Sequence, residues 1–383
     1  MTLTSKLTHG NNPHNNESVY SDFKLFQHLD KVAEWQEKGY ASAPVIIDLD
    51  LTDHCNHHCP ACIYKFTNTE KIYIPTEKAR EILTDAAQMG SKAVTFAGGG
   101  DPTMHPDFEK LILHSKEAGL EAALFSNCYE MNDSLIETIV RECTWMRVSL
   151  DADGPEIYKK THAMGEEEFN QAIGNVRKIT SRARETGSDL RVGICYLMGP
   201  HTVKGIYTGA KLAKDLGAQE IRFRPFFNFE DRREGTAITR LMDIQVKKGR
   251  DRNEQVKEIR EQLARAEELR DDGFSVSYPD YRVAALEGKG PRGFSTCYYP
   301  QFSASITADM KLYPCCPLKS IPEYEIGDLS NASFREVWNS DKRRKVHEMV
   351  DFKSCPNPCQ FHNHALLLSG IKQAEKSEHK NFL

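Results

Sequence analysis

Residues 43–62 read Ala-Pro-Val-Ile-Ile-Asp-Leu-Asp-Leu-Thr-Asp-His-Cys-Asn-His-His-Cys-Pro-Ala-Cys, an apolar run that leads directly into three closely spaced cysteines. The β-branched residues of the first half predict a strand over 43–52. Cys55, Cys59 and Cys62 follow it in a C-x3-C-x2-C loop. Three thiolates can hold a [4Fe–4S] cluster with one iron left open. The alternative is a zinc site, with a histidine (His54, His57 or His58) as the fourth ligand.

Five further strand-like runs follow, and a helix-like stretch separates each from the next. They lie at 92–97, 121–126, 145–151, 190–198 and 220–227. Repeated strand–helix units imply a parallel sheet. Six units are too few for a closed eight-stranded barrel, so we predict an α/β fold with a partial (β/α)6 TIM-like barrel. The carboxyl ends of such strands carry the active site, and the cysteine loop follows one of them.

Composition divides the chain into four segments. An N-terminal leader and helix (1–42) precede the barrel (43–235), and a charged helix and linker (236–290) lead to a smaller C-terminal α+β domain (291–383). The first 18 residues are polar and lack the apolar core of a signal peptide, so we expect a disordered leader. The net charge of −5 favours neither nucleic acid nor a membrane surface as a partner, and we expect a cytoplasmic protein.

Eight of the 11 cysteines fall into two groups, which favours metal sites over scattered disulfides. The first group is the loop described above. Two isolated cysteines, Cys143 and Cys195, are best explained as buried thiols. The second group contains Cys297, Cys315, Cys316, Cys355 and Cys359.

The C-x3-C-x2-C loop after the first strand resembles that of the radical S-adenosylmethionine (SAM) superfamily, and the resemblance covers residues 43–230. Ala61 stands where many members carry an aromatic residue. The resemblance implies SAM and a [4Fe–4S] cluster as cofactors, with an external electron donor such as flavodoxin or ferredoxin. It also implies cleavage of SAM to methionine and a 5′-deoxyadenosyl radical, which takes a hydrogen atom from the substrate.

Two later segments support this resemblance. Gly98, Gly99, Gly100 and Asp101 are similar to the Gly-Gly-Glu segment with which the family binds the SAM amino group, with Asp101 in place of Glu. Glycines there let the backbone approach a ligand closely. Ser126-Asn127-Cys128 resembles the family's Thr-Asn-Gly.

Two strand positions are further candidates for binding SAM. The resemblance implies that polar groups at the end of the fourth strand face the SAM ribose or carboxylate, which makes Ser149 the first candidate and Asp151 the second. Alternation puts Arg222 and Arg224 on one face of the sixth strand. An arginine inside the barrel suits a carboxylate, and we include Arg224 among the cofactor-binding residues; exposed surface arginines are the alternative.

The C-terminal part resembles the SPASM/twitch extension of radical SAM enzymes. The resemblance rests on Asp309 to Cys316, Ile326-Gly-Asp-Leu and the Trp-Asn-Ser at 338–340, with Met310 where Gly is usual in the hairpin turn. Five cysteines rather than the usual seven imply one auxiliary [4Fe–4S] cluster. The implied ligands are Cys297, Cys315, Cys355 and Cys359. Cys316 is a rival for Cys315, and a structural zinc is the alternative to the cluster.

A cluster with four cysteine ligands has no iron open to substrate, so its expected role is electron transfer. We therefore predict a radical SAM oxidoreductase acting on a polar small molecule such as a sugar, an aminocyclitol or a nucleoside-like compound. One alternative is maturation of a ribosomal peptide or a protein. Another is epimerisation, with Cys316 or Cys195 as hydrogen donor. A zinc-binding interaction protein is the non-enzymatic alternative.

Overall fold

The computed structural model describes residues 22–60, 62, 64, 71–225, 227–229, 239–241, 252–286, 292–350, 355 and 359–375. The leader expected over the first 18 residues, Ala61, and residues 236–238, 242–251 and 287–290 of the charged segment lie outside the described residues. The domain boundaries given above stay a prediction.

Six parallel strands follow one another through the sheet in chain order, as predicted. They are β1 (Ile46–Leu49), β2 (Ala93–Phe96), β3 (Glu121–Ser126), β4 (Cys143–Ser149), β5 (Arg191–Met198) and β6 (Glu220–Pro225). Helix α1 (Leu29–Lys38) precedes them, and the connecting helices are α2 (Thr76–Met89), α3 (Phe108–Glu117), α4 (Asp133–Glu142), α5 (Pro155–His162), α6 (Glu166–Thr186) and α7 (Ile206–Asp215). The α/β class and the partial barrel are confirmed.

The segment after the barrel contains both strand and helix. Strands β7 (Phe227–Phe229) and β8 (Thr239–Leu241) form an antiparallel pair, although we expected β8 to lie in the charged helix. That helix is α8 (Arg252–Glu267), and it buries Val256, Ile259 and Leu263 on one face. This apolar stripe was not recognised in the sequence because most of the residues around it are charged. Strand β9 (Ser275–Ser277) pairs in parallel with β6, and α9 (Asp280–Leu286) follows.

The C-terminal strands continue the same sheet from its other end. Strand β10 (Ser303–Ile306) pairs in parallel with β1, and β11 (Lys311–Tyr313) and β12 (Gly327–Asp328) add to it in antiparallel fashion. The sheet order is therefore β12-β11-β10-β1-β2-β3-β4-β5-β6-β9. The C-terminal helices are α10 (Phe334–Trp338), α11 (Asp341–Met349) and α12 (His362–Ala374). The second cysteine group is thereby joined to the strand that carries the first.

The main core lies between the sheet and its helices, and a smaller core lies under α1. Trp35 of α1 packs against Phe302 and Leu368, so the N-terminal helix rests on the C-terminal part of the chain. No helix among the described residues is both long and apolar enough to cross a membrane.

Candidate functional site

The first cysteine loop leaves β1 at its carboxyl end and is held there by a short antiparallel bridge between Thr52 and Tyr73. The Thr52 hydroxyl donates to the carbonyl of Ile72 (2.8 Å) and accepts from the N–H of His54 (3.0 Å). Cys62 N–H donates to the carbonyl of Cys59 (3.0 Å). These bonds fix both ends of the loop that carries the three thiols.

His57 anchors the middle of this loop to α5. Its Nδ1 donates to Asn56 Oδ1 (2.9 Å), and its Nε2 accepts from the hydroxyl of Tyr158 (2.8 Å). Burial lowers the pKa of His57 to about 4, so the ring is neutral at physiological pH. Both ring nitrogens are engaged with protein groups, which fits a structural role rather than the zinc-ligand role considered above.

The three thiols suit a multi-iron group. Burial raises the pKa of Cys55 to about 11, and the nearby Asp101 and Cys62 add to the rise. Burial also raises the pKa of Cys59, with Cys62 and Cys55 contributing. Buried thiols this close together can all ionise only beside positive charge, which iron supplies. Within the described parts of the chain, no three His, Cys, Asp or Glu side chains form a site for a single metal ion.

The glycine segment after β2 packs on the first cysteine loop. A Cβ at Gly98 would lie 1.9 Å from Asp50 Oδ1, and one at Gly100 would lie 1.9 Å from the carbonyl oxygen of His54. Gly100 N–H donates to the carbonyl of Thr52 (2.6 Å). Close backbone packing is therefore one reason for glycine here. The predicted approach of a ligand to the same segment stays a prediction.

Asp101 is the centre of a buried hydrogen-bond network. Its carboxylate accepts from the Thr103 hydroxyl (2.8 Å), the Ser126 hydroxyl (3.0 Å) and the N–H of Asn127 (2.7 Å). The Asn127 amide in turn donates to Asn56 Oδ1 (2.7 Å), beside Cys55. Asp101 thus orients the end of β3 and, through it, the first cysteine loop. Its predicted contact with the SAM amino group is untested.

Cys128 adopts the left-handed conformation, with φ +64°. This backbone requirement is the reason glycine suits the third position of the Thr-Asn-Gly pattern.

The other predicted SAM-binding residues line the ends of β4 and β6. The Ser149 carbonyl accepts from Nε2 of His162 (3.0 Å), and Asp151 accepts from the N–H of Leu197 (2.6 Å). Arg224 donates to Cys195 Sγ (3.7 Å). Burial raises the pKa of Asp151 to about 6, and the charge of Arg224 opposes that rise. The structure therefore brings Arg224, Cys195 and Asp151 to one region, but their role in binding SAM stays a prediction.

The second cysteine group gathers between α9, β11 and α12. Burial raises the pKa of Cys297 to about 12, and Cys359 and Cys355 nearby add to the rise. Burial also places the pKa of Cys315 well above its usual value, with Cys355, Cys316, Cys359 and Cys297 contributing. The N–H of Phe361 points at Cys359 Sγ (3.4 Å). The four thiols of the predicted ligand set are thus neighbours, and the same argument about positive charge applies.

Cys316 has different surroundings from Cys315. Its sulfur accepts from the side-chain amide of Gln360 (2.7 Å), and it lies near Lys319 and Tyr299. Cys315 is buried, and Cys355, Cys316, Cys359 and Cys297 all lie near it. This geometry favours Cys315 as the fourth ligand.

A buried ion pair that was not predicted from the sequence links the two cysteine groups. Lys319, three residues after Cys316, lies 2.7 Å from Asp50 at the end of β1, and both side chains are 1% exposed. Burial opposes the charge on Lys319, yet Asp50 and Asp48 beside it hold its pKa above the usual value. A single lysine in a loop forms no recognisable sequence pattern, so this contact could not be predicted from the sequence.

Residues 49–217 match the family profile described as the Radical SAM superfamily, and residues 297–361 match one described as an iron–sulfur cluster-binding domain. The two matched ranges contain the two cysteine groups.

Curated relatives are distant. An AdoMet-dependent heme synthase from Methanosarcina barkeri is 22% identical over 84% of this chain and 89% of its own length. An S-adenosylmethionine-dependent nucleotide dehydratase from Lacinutrix mariniflava is 26% identical over 32% of this chain, and the match spans only 26% of that protein. Among solved structures, Streptococcus suis SuiB bound to the precursor peptide SuiA has a TM-score of 0.63 at 14% identity, over 90% of this chain and 76% of SuiB. That similarity concerns the fold.

Proposed function

Because the chain belongs to the radical SAM superfamily and carries an iron–sulfur cluster-binding domain of the SPASM type after its barrel, we propose that it oxidises a polar small molecule. Its cofactors are SAM, a SAM-binding [4Fe–4S] cluster and one auxiliary [4Fe–4S] cluster. Together these cofactors supply the cleavage of SAM to a 5′-deoxyadenosyl radical, hydrogen-atom abstraction and a route for the substrate electron. Sugars, aminocyclitols and nucleoside-like compounds are the substrates we favour.

Two sets of cysteines hold the clusters in this proposal. Cys55, Cys59 and Cys62 bind the SAM cluster and leave one iron open, while Gly98, Gly99, Gly100, Asp101, Ser149 and Arg224 surround SAM. Cys297, Cys315, Cys355 and Cys359 bind the auxiliary cluster. The proximity of the four thiols, of which Cys315 is buried and the other three are partly buried, is the observation that carries the proposal. Full ligation leaves no iron for substrate, so electron transfer and net oxidation follow.

An external reductant must supply the electron that cleaves SAM, and we propose a flavodoxin or a ferredoxin. Both are cytoplasmic electron carriers, and we propose that the enzyme acts in the same compartment.

Iron counting and SAM cleavage test the proposal together. After anaerobic reconstitution we expect about eight irons per chain, two four-iron clusters, and formation of 5′-deoxyadenosine. Alanine at Cys55, Cys59 or Cys62 should remove about four irons and abolish cleavage. Alanine at Cys297 or Cys355 should remove about four irons but leave the SAM cluster in place.

Cys143→Ala is the matched control, because this buried thiol lies at the start of β4, outside both groups. It should keep both clusters. Wild-type protein with one cluster's worth of iron would remove the auxiliary cluster and the oxidation argument with it. Cleavage that survives in Cys59→Ala would refute the SAM site.

Peptide maturation is a second candidate. SuiB, which shares this fold over most of the chain, was solved with its precursor peptide bound. A peptide substrate would give a cross-linked or otherwise modified peptide rather than an oxidised small molecule. Mass spectrometry of the product separates the two candidates.

Epimerisation is a third candidate, and one contact in the structure supports it. Cys195 lies beside Arg224 on the strand face that bears the predicted SAM-binding residues, where a thiol can return a hydrogen atom to a substrate radical. Cys195→Ser would then stop turnover without stopping SAM cleavage. If the enzyme instead oxidises its substrate as proposed above, it should tolerate the change.

A further inference from the structure

A chain of hydrogen bonds beside Cys55 has its donors and acceptors fixed by a single backbone group. The N–H of Tyr129 donates to Asn127 Oδ1 (2.9 Å), and a backbone N–H can act only as a donor. The oxygen of this side-chain amide is thereby identified, so its Nδ2 is the atom that faces Asn56 Oδ1 (2.7 Å). The same Nδ2 lies 4.0 Å from Cys55 Sγ, which leaves its second hydrogen for the sulfur.

The order of donors and acceptors continues from Asn56 to α5. Asn56 Oδ1 is an acceptor, so His57 Nδ1, which lies 2.9 Å from the same oxygen, carries the proton and donates it. The neutral ring therefore accepts at Nε2 from the Tyr158 hydroxyl (2.8 Å). His57 is 5% exposed and Tyr158 is fully buried, which shields these bonds from water.

This order leaves one donor without an acceptor. Asn56 Nδ2 is buried and has no hydrogen-bond partner in the part of the chain that the structure describes. Turning the amide over would not help, because two NH₂ groups would then face each other at 2.7 Å. A buried donor without an acceptor is unfavourable by about 1–3 kcal/mol. Asn56 follows Cys55 directly in the chain, and a cluster bound by that cysteine would bring sulfur acceptors to this amide.

We propose that the side-chain amides of Asn127 and Asn56 donate hydrogen bonds to sulfur atoms of the SAM-binding [4Fe–4S] cluster. Asn127 donates to the Cys55 sulfur, and Asn56 donates to another sulfur atom of the cluster. Tyr158 is a positioning residue, which acts on Asn56 through His57. The inference rests on the proposed assignment of this cluster to the first cysteine loop, but not on the identity of the substrate.

These bonds would favour the reduced form of the cluster. Reduction adds negative charge to the iron–sulfur group, and a hydrogen bond becomes stronger as its acceptor becomes more negative. Hydrogen bonds to the sulfur atoms are among the factors that set the reduction potential of a cluster. The two amides therefore raise the potential of the SAM cluster, which makes it easier for the external reductant to supply the electron that SAM cleavage requires.

A redox titration of the anaerobically reconstituted holoenzyme, followed by electron paramagnetic resonance in the absence of SAM, tests this assignment. The signal that changes when SAM is added afterwards identifies the SAM cluster. Asn56→Ala and Asn127→Ala should each lower the equilibrium constant for its reduction about three- to tenfold, which is about 30–60 mV for a one-electron couple. The iron content and the potential of the auxiliary cluster should remain those of wild type.

Tyr158→Phe provides a milder variant in case the alanine variants fail to fold. It removes only the hydroxyl that bonds His57 and keeps the ring that stacks on His162 with centroids 4.2 Å apart. The potential of the SAM cluster should fall by less than in Asn56→Ala, because the amide is retained and only its orientation is less firmly held.

Two controls separate this role from a general loss of structure. Asn175→Ala removes a buried amide that donates to the carbonyls of Cys128 and Tyr129 (3.0 Å each) rather than to sulfur. Tyr196→Phe removes a buried hydroxyl that donates to the carbonyl of Thr202 (2.9 Å). Both controls should keep the wild-type potential of the SAM cluster.

Three results would overturn the inference. The first is an unchanged potential in Asn56→Ala, Asn127→Ala and Tyr158→Phe. The second is an equal shift in Asn175→Ala, because the potential would then report any disturbance of the turn after β3. The third is weaker SAM binding in Asn56→Ala with an unchanged potential in the SAM-free protein, because the amide would then donate to SAM. Full iron content in Cys59→Ala would instead refute the cluster assignment itself, so the two failures can be told apart.

Discussion

Two buried histidines hold the first cysteine loop against α5 and remain neutral. His162 stacks on Tyr158 with ring centroids 4.2 Å apart, and Tyr158 bonds His57. Burial lowers the pKa of His162 to about 3, with His57 adding to the decrease. His162 Nε2 carries a proton, because it donates to the carbonyl of Ser149. Neither ring can accept a second proton without disturbing these contacts.

This arrangement predicts a loss of stability in acid. An unfolded histidine protonates near pH 6.5, whereas His57 and His162 resist protonation down to about pH 4 and 3. Between those limits the unfolded chain binds more protons, so stability falls as pH falls below about 6.5. From pH 7 to 5 each histidine contributes about 2 kcal/mol to this loss. In His162→Gln the melting temperature should therefore fall less between pH 7 and 5 than in wild type.

His58→Gln is the matched control for this pH series. His58 lies in the same loop but is exposed, so its replacement should leave the wild-type pH dependence in place. Equal slopes for wild type and His162→Gln would contradict the assignment of the acid sensitivity to His162.

At the scale of secondary-structure elements, several helices end, and one hairpin turns, at residues in the left-handed conformation. Ala163 ends α5 at φ +56°, exposed, and Gly187 ends α6 at φ +64° with nothing within 4 Å of a Cβ built there. Met310 takes φ +61° in the turn before β11. The hairpin turn therefore keeps the left-handed conformation that glycine usually adopts there, although Met310 takes the place of the glycine.

Ala163→Gly should stabilise the protein by about 0.5–1 kcal/mol. The left-handed conformation is unfavourable for alanine by roughly 1–2 kcal/mol, and the greater freedom of glycine in the unfolded chain offsets part of that gain. Gly187→Ala is the reciprocal change and should destabilise by a similar amount. Thermal unfolding of both variants checks the pair. If both changes move the melting temperature in the same direction, the left-handed conformation does not control these helix ends.

The strands could be predicted from the sequence only where the signal is local. The runs at 121–126 and 190–198 are β-branched or aromatic and bounded by turn residues, so β3 and β5 were found nearly to the residue. The β10–β1 pair was not foreseen. Asp48 and Ser305 face each other across 257 residues of chain, and no local pattern records such a partner.

The candidate site likewise has a part that could be predicted from local sequence and a part that could not. Cys55, Cys59 and Cys62 follow a strand in a fixed spacing, so the sequence predicts their common position. The Asp101 network and the Lys319–Asp50 pair join segments distant in sequence. Each depends on the folded geometry that brings a carboxylate and its partners together. Asp101 was predicted as a site residue from its place after the glycines, but its partners were not, and neither Lys319 nor Asp50 stands out by type or spacing.

At the scale of the whole molecule, the Lys319–Asp50 ion pair connects the C-terminal segment to the barrel. Asp50 follows β1, Gly98 packs against its carboxylate, and Lys319 comes from the loop after Cys316. Burial raises the pKa of Asp50 to about 6 even with the ammonium group beside it. The pair thus stands at the junction of the first cysteine loop, the glycine segment and the second cysteine group.

Lys319→Met should therefore destabilise the protein by about 3–5 kcal/mol, because it leaves Asp50 buried without its ammonium partner. Asp50→Asn added to that variant should recover part of the loss by removing the isolated charge. Lys311→Met is the control: Lys311 pairs with Asp328 at 3.2 Å on a partly exposed surface, and such pairs contribute about 1 kcal/mol or less. Denaturant unfolding of the anaerobically purified variants gives the comparison. A Lys319→Met variant no less stable than Lys311→Met would mean that backbone pairing of β10 with β1, rather than the ion pair, holds the two cysteine groups together.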